Sequence, residues 1–322
     1  MENLKLMSII KLMGNPTTMI LLKNKKDFAI STENGFLFIY NIKLLKQKLC
    51  KKILNKTILD IIELEENKIC ISCYDFQLRI IELHKNNRSC NIVQTITEHK
   101  DYINALKKLN YYQNQFVFAS GSNDRKIILW KLENNIVNKF QEIECLHVED
   151  NAEIQIEGLE ESTKYHQLIC SYSLNETIFF CNLDNIQEIV PLNMKVNRCI
   201  RALKIIENGE ILIVGGNQEI NVVDVENKTI LISIKYGIKL EFNCVFQKKD
   251  GNLLITEYDK QNETKIKEFK FDKNGLSLNL RSMKINYFKS YITTIIELDN
   301  GDLIIGGYDK TIKFFKNIYN RK

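Results

Sequence analysis

The chain is poor in the residues that punctuate or specialise a sequence. Only 2 prolines and 13 glycines occur in 322 residues, which excludes a collagen-like repeat and a Pro/Gly-rich disordered tract. With 4 histidines and 1 tryptophan, there is no histidine pair at zinc-finger spacing. No GxGxxG opens a helix, and no phosphate-binding loop, GxSxG or HExxH is present. Dinucleotide, hydrolase and zinc-protease chemistries therefore have no foothold. No apolar run approaches the ~20 residues of a membrane helix. The opening "MENLKLMSIIKLMGN" mixes Glu2 with Lys5 and Lys11 instead of the basic-then-apolar order of a secretory signal. A soluble, cytoplasmic protein is expected.

Cysteine is not scarce, but its 9 copies are odd in number and lie mostly in apolar runs, as buried reduced thiols do. The one CxxC, Cys70 and Cys73, has no second pair, and on a strand its two thiols point to opposite faces. No metal and no cofactor are expected. The net charge of +5 comes from lysines scattered among asparagine and isoleucine, not from a run. A nucleic acid is thus the less favoured partner, though the charge leaves it open.

What the chain does contain is 44% hydrophobic residues, enough for a large core, arranged in a repeating pattern. In "FASGSNDRKIILWK" an apolar strand ends in small residues, a polar turn holds Asp124, and a second strand carries apolar residues three, five and six places later, the last being Trp130. "LIIGGYDKTIKFFK" repeats it around Asp309, "ICISCYDFQLRIIEL" around Asp75 and "AISTENGFLFIY" around Asn34. Further copies turn at Asn175, Asn217 and Asp259, the last with residues Lys260 to Glu263 lengthening its turn. The closing positions Tyr40, Ile81, Trp130, Cys181, Val223, Phe269 and Phe315 recur at intervals of 41 to 51 residues. Between them lies room for two more strands per copy, rich in Ile, Val, Phe and Tyr. "NGE", "DGN" and "NGD" at 208–210, 250–252 and 300–302 read as hairpin turns.

A repeat of this length with four short strands is a β-propeller blade, and Asp followed six residues later by Trp resembles the WD40 family. The resemblance implies an all-β, seven-bladed WD40-like propeller spanning 1–322 as one domain. It also implies a buried tetrad of His99, Ser120, Asp124 and Trp130 in the third copy. An indole N–H, an imidazole and a carboxylate can satisfy one another when buried, so the quartet is structural rather than catalytic. Glu98 and Lys131 depart from the Gly and Asp that the family favours there. Because "KNIYNRK" is too short and polar for an outer strand, residues 4 to 13 are expected to pair antiparallel with "TIKFFK" and close the ring.

The acidic residues show no register that would gather at a central channel, so no enzyme is expected. The reading is a non-catalytic scaffold for protein–protein interactions within a larger complex. The pre-turn positions Glu33, Tyr74, Asn123, Leu174, Gly216, Tyr258 and Tyr308 would ring one face. The candidate partner-binding set on that face is Tyr74, Tyr102, Asn123, Arg198, Arg201, Tyr258, Tyr291 and Tyr308, since Tyr and Arg suit binding hot spots. Two alternatives stand beside it. A ubiquitin-ligase substrate receptor would resemble relatives with Trp-Asp-x-Arg after a third strand, whose arginine "LWKLE" and "NVVDVE" lack. An RNA- or ribosome-associated propeller would gather its lysines on one rim.

Overall fold

A computed structural model describes residues 4–144, 155–172, 177–193, 200–206, 209–216, 219–235, 240–259, 263–272, 277–283, 287–288 and 290–317. The strands form seven four-stranded antiparallel sheets. Blades I to VI take consecutive strands at residues 16–52, 58–96, 103–144, 156–193, 200–235 and 240–283. Blade VII joins three strands in 292–317 to the N-terminal strand Leu4–Lys11.

Each blade runs from an inner strand outward, and its second strand is the most buried. The second strands Asp27–Thr32 and Lys68–Cys73 are buried at every position. Both their faces pack on neighbouring blades, so they read as continuous runs instead of alternating. The outer strands Ser89–Ile96 and Ile136–Glu144 are largely exposed. Seven apolar clusters fill the seven seams between adjacent blades. Alternation along one strand sends Cys70 into the seam between blades II and III and Cys73 into that between I and II. Their thiols therefore face apart, and burial pushes that of Cys73 up to about 12.

The ring closes as the sequence predicts: Leu4–Lys11 pairs antiparallel with Thr311–Asn317, from Leu4 opposite Asn317 to Lys11 opposite Thr311. The strand stops at Lys11, two residues short of the expected end. The Leu12 N–H instead donates to the Lys310 carbonyl at 2.8 Å. A bulge between Leu6 and Ser8 shifts the register, and it reverses which face the later residues present. Leu4 and Leu6 pack on the seam between blades VI and VII, whereas Ile10 and Leu12 pack on the seam between VII and I. One short strand thus contributes to both sides of its blade.

Antiparallel pairing fixes two rims. The turns joining second to third strands, and the residues leading into inner strands, share an upper face. The turns joining inner to second and third to outer strands share the lower face. Gly251 and Gly301, in two of the expected hairpin turns, lie at φ 83° and 79°, a conformation that favours glycine.

Candidate functional site

The four residues of the third copy meet in the structure. His99 Nδ1 lies 2.8 Å from Asp124 Oδ2, and its Nε2 lies 2.7 Å from Ser120 Oγ. The Trp130 indole N–H donates to the same Oγ at 2.7 Å. Because the indole can only donate, the serine hydroxyl is free to give its own proton to Nε2, which leaves Nδ1–H to face the carboxylate. Burial alone would raise the Asp124 carboxyl, but His99 and the N–H groups of Lys100 and Lys126 outweigh it and hold the group below its ordinary value. Ser120 is fully buried, so no substrate carbonyl reaches its Oγ and the likeness to a hydrolytic triad stops there.

Three other blades place a cation where this one has an isoleucine. Ile128 sits opposite Ser120; the equivalent pairs are Arg79 opposite Ile71 and Lys313 opposite Ile305. Arg79 grips the turn residue Asp75 with both nitrogens, at 2.9 and 2.5 Å. Lys313 holds Asp309 at 2.8 Å. In blade VI, whose third strand begins at Glu263, Lys267 sits opposite Ile255 and pairs with Glu257 at 2.5 Å. A carboxylate taken out of water needs a partner. In blades II and VII, where the turn aspartate has no histidine, the third strand supplies the cation.

The upper face carries two aromatic clusters. Asn123, Tyr74, Tyr258 and Tyr308 are equivalent, each one residue past the pairs Ile103–Ser122, Ile58–Cys73, Phe242–Glu257 and Ile292–Gly307. Tyr74 stacks on Tyr102 across the seam between blades II and III, with centroids 3.6 Å apart and planes at 13°. Tyr258 meets Tyr291 edge-on at 5.9 Å across the seam between VI and VII, and Tyr291 stacks on Tyr308 at 4.5 Å. These seams lie nearly opposite each other in the ring. A hydrogen bond with Glu33 raises the Tyr308 phenol above its ordinary value, and one with Tyr102 does the same for Tyr74. Asn123 accepts from Asn104 at 2.6 Å. Its side chain thus helps tie blade III to blade IV, since Asn104 also donates to the Ile156 carbonyl.

Of the expected partner-binding set, Arg198 and the side chain of Arg201 lie outside the described residues, as does Leu174. Gly216 sits opposite Ile200, the level of Cys73 and Gly307, and so stands one residue short of the tyrosine position. The sequence reading also passed over Phe76. It is 37% exposed, 5.2 Å from the Tyr102 ring, and sits at φ 67° in the turn slot that Gly35 fills in blade I. A bulky residue in that conformation is an outlier. Its signal was legible: "DF" where another copy has "NG".

Three glutamates share a register of their own, at the seams between blades. Glu63, Glu161 and Glu297 each stand five residues past the start of their inner strand, at Ile58, Ile156 and Ile292. Each accepts a backbone N–H from the preceding blade's lower turn: Lys23 at 2.6 Å, Asn110 at 2.8 Å and Lys249 at 2.7 Å. They are seams between blades, not a catalytic ring. Burial pushes Glu63 up to about 7 despite the Lys23 N–H. Glu160 is likewise held between Lys107 at 2.9 Å and Lys204 at 3.3 Å. Among the described residues, no group of three or more His, Cys, Asp or Glu could hold a metal ion, and no helix is long and apolar enough to cross a membrane.

Residues 90–131 match the WD40 family, described as "WD domain, G-beta repeat". That segment contains the whole tetrad. Among solved structures, the chain is similar to the WD40 β-propeller domain of Doa1, with a TM-score of 0.72 at 14% identity, covering 98% of both chains. At that identity the likeness concerns the fold. No curated protein matches the chain.

Proposed function

We propose that this seven-bladed WD40-type propeller is a non-catalytic scaffold in a cytoplasmic complex, holding a protein or peptide partner on its upper face. WD40 propellers generally are protein-interaction scaffolds and typically lack catalysis. The observation that carries the reading for this chain is the pair of aromatic clusters at the seams between blades II and III and between VI and VII. Tyr74, Phe76 and Tyr308 expose 37 to 39% of their surface there, although each could have been any turn residue. Stacked tyrosines lose little freedom on binding while offering a broad apolar area and a polar rim.

The lysine-rimmed alternative has less behind it, since Lys25, Lys43 and Lys316 frame one apolar groove at a single seam. Lysines that engage carboxylates are spread from Lys48 in blade I through Lys126 in III and Lys204 in V to Lys313 in VII. The test is a pull-down with the full chain and with Tyr74→Ser, Tyr258→Ser and Tyr308→Ser combined. Loss of the captured partner with an unchanged melting temperature supports the face; an unaltered profile places binding elsewhere.

A further inference from the structure

The lower face holds a second surface, at the seam where the closing blade meets blade I. Two cavities of about 490 and 430 Å³ lie side by side there and share Ile42, Leu298 and Asn300. One extends toward Leu21 and Leu22, the other across Phe314 to Met7 on the N-terminal strand. Their floor is the unfilled lower end of the core between blades VII and I, to which Ile42, Leu45 and Leu298 belong. At the rim, Met7 is 54% exposed. Leu45 sits at φ 51°, a costly conformation for a leucine.

Charge chooses the occupant. The two acids at the rim are already engaged within the chain. Asp299 pairs with Lys249 at 2.6 Å, and Asp302 accepts from the Asn317 N–H at 2.8 Å and from Asn300 at 2.7 Å. The Lys23 ammonium turns away to the Leu64 carbonyl at 2.8 Å. Lys25, Lys43 and Lys316 also line the groove, and no ion pair among the described residues engages them. Lys25 only lowers Asp299 from a distance. An apolar trough with an unneutralised basic rim complements a segment whose apolar anchors are flanked by carboxylates.

We propose that this groove docks an acidic, apolar-anchored peptide segment of a protein partner, separately from anything held on the upper face. The scaffold would then join two partners through opposite rims. Selection of a random-peptide display library on the full chain tests this, with Lys43→Glu combined with Lys316→Glu as the counter-target. Lys43 is exposed and Lys316 half-buried, and the variant should melt like the parent. The expected result is a set of enriched peptides pairing Asp or Glu with Leu, Ile or Phe. They should bind the charge-reversed variant about tenfold more weakly or worse, yet bind the triple tyrosine variant unchanged. Three results would each overturn the proposal: enriched peptides that are neutral or basic, equal binding to the charge-reversed variant, or a dimer in sedimentation that those charge reversals abolish. If the upper-face reading fails while this selection succeeds, the groove stands on its own.

Discussion

The Lys313 ammonium lies 3.8 Å from the centroid of the Phe288 ring. Phe288 stands four residues before its inner strand, where blade III has His99. In blade III the histidine itself binds the turn aspartate. In blade VII the aspartate is held by Lys313 from the third strand, and the ring at the histidine position lies against that cation. Two different side-chain pairs thus neutralise equivalent carboxylates, Asp124 and Asp309.

Removing the cation should therefore expose the design. Lys313 is 3% exposed, and burial holds its ammonium below the ordinary value despite Asp309. Lys313→Met leaves Asp309 without its cation, with only the Thr311 N–H and hydroxyl as donors, and is expected to cost on the order of 1 to 3 kcal/mol in urea unfolding at neutral pH. Adding Asp309→Asn should recover part of the loss. A double variant no better than the single one would show that the pair contributes little.

His99→Ala removes the ring partner of both the Ser120 hydroxyl and the Asp124 carboxylate, while Trp130 keeps its bond to Ser120. A loss of about 1 to 3 kcal/mol is expected from unsatisfied buried groups, read as a lower thermal midpoint. The Asp124 carboxyl is depressed in the folded state, so its contribution is present above the unfolded carboxylate range and fades as pH falls through the folded value. Acid should thus narrow the gap between parent and variant. A midpoint unchanged by the substitution at neutral pH would remove the tetrad from the account of stability.

Glu63 carries the opposite sign. Its folded value of about 7 stands above the ordinary 4.5, so the folded chain holds the proton more tightly. The stability this gives is full below the unfolded value and is lost as pH rises from about 4.5 to about 7. Glu63→Gln can still accept the Lys23 N–H without a charge. It is expected to gain on the order of 1 kcal/mol over the parent above pH 7, discounted for partial exposure, and to match it near pH 4. Chemical denaturation across that range reads both.

Deleting residues 1 to 13 strips the outer strand from blade VII and removes Leu4, Leu6, Ile10 and Leu12 from two seams. It also bares the edge of Thr311–Asn317, a template for aggregation. The deletion should lower the melting temperature of the whole chain and promote aggregation. A variant that melts at the parent's temperature would mean the strand merely trims the ring.

Much was legible because it is periodic and local. Alternating apolar residues, turn residues at a steady interval and an N-terminal strand with no partner of its own determined an all-β ring of seven blades and its closure. The coincidence of His99, Ser120, Asp124 and Trp130 in one copy was equally plain, since four residue types marked one blade. Tertiary structure alone decided which groups meet across seams. Tyr74 finds Tyr102, Glu63 the Lys23 N–H and Lys313 the Phe288 ring. Each contact depends on the angle between strands or blades and on bulges that shift a face, and no interval in the chain encodes either. Arg79, Lys267 and Lys313 show why. On paper they interrupt three apolar strands, and only the burial of a carboxylate beside each makes the cation necessary.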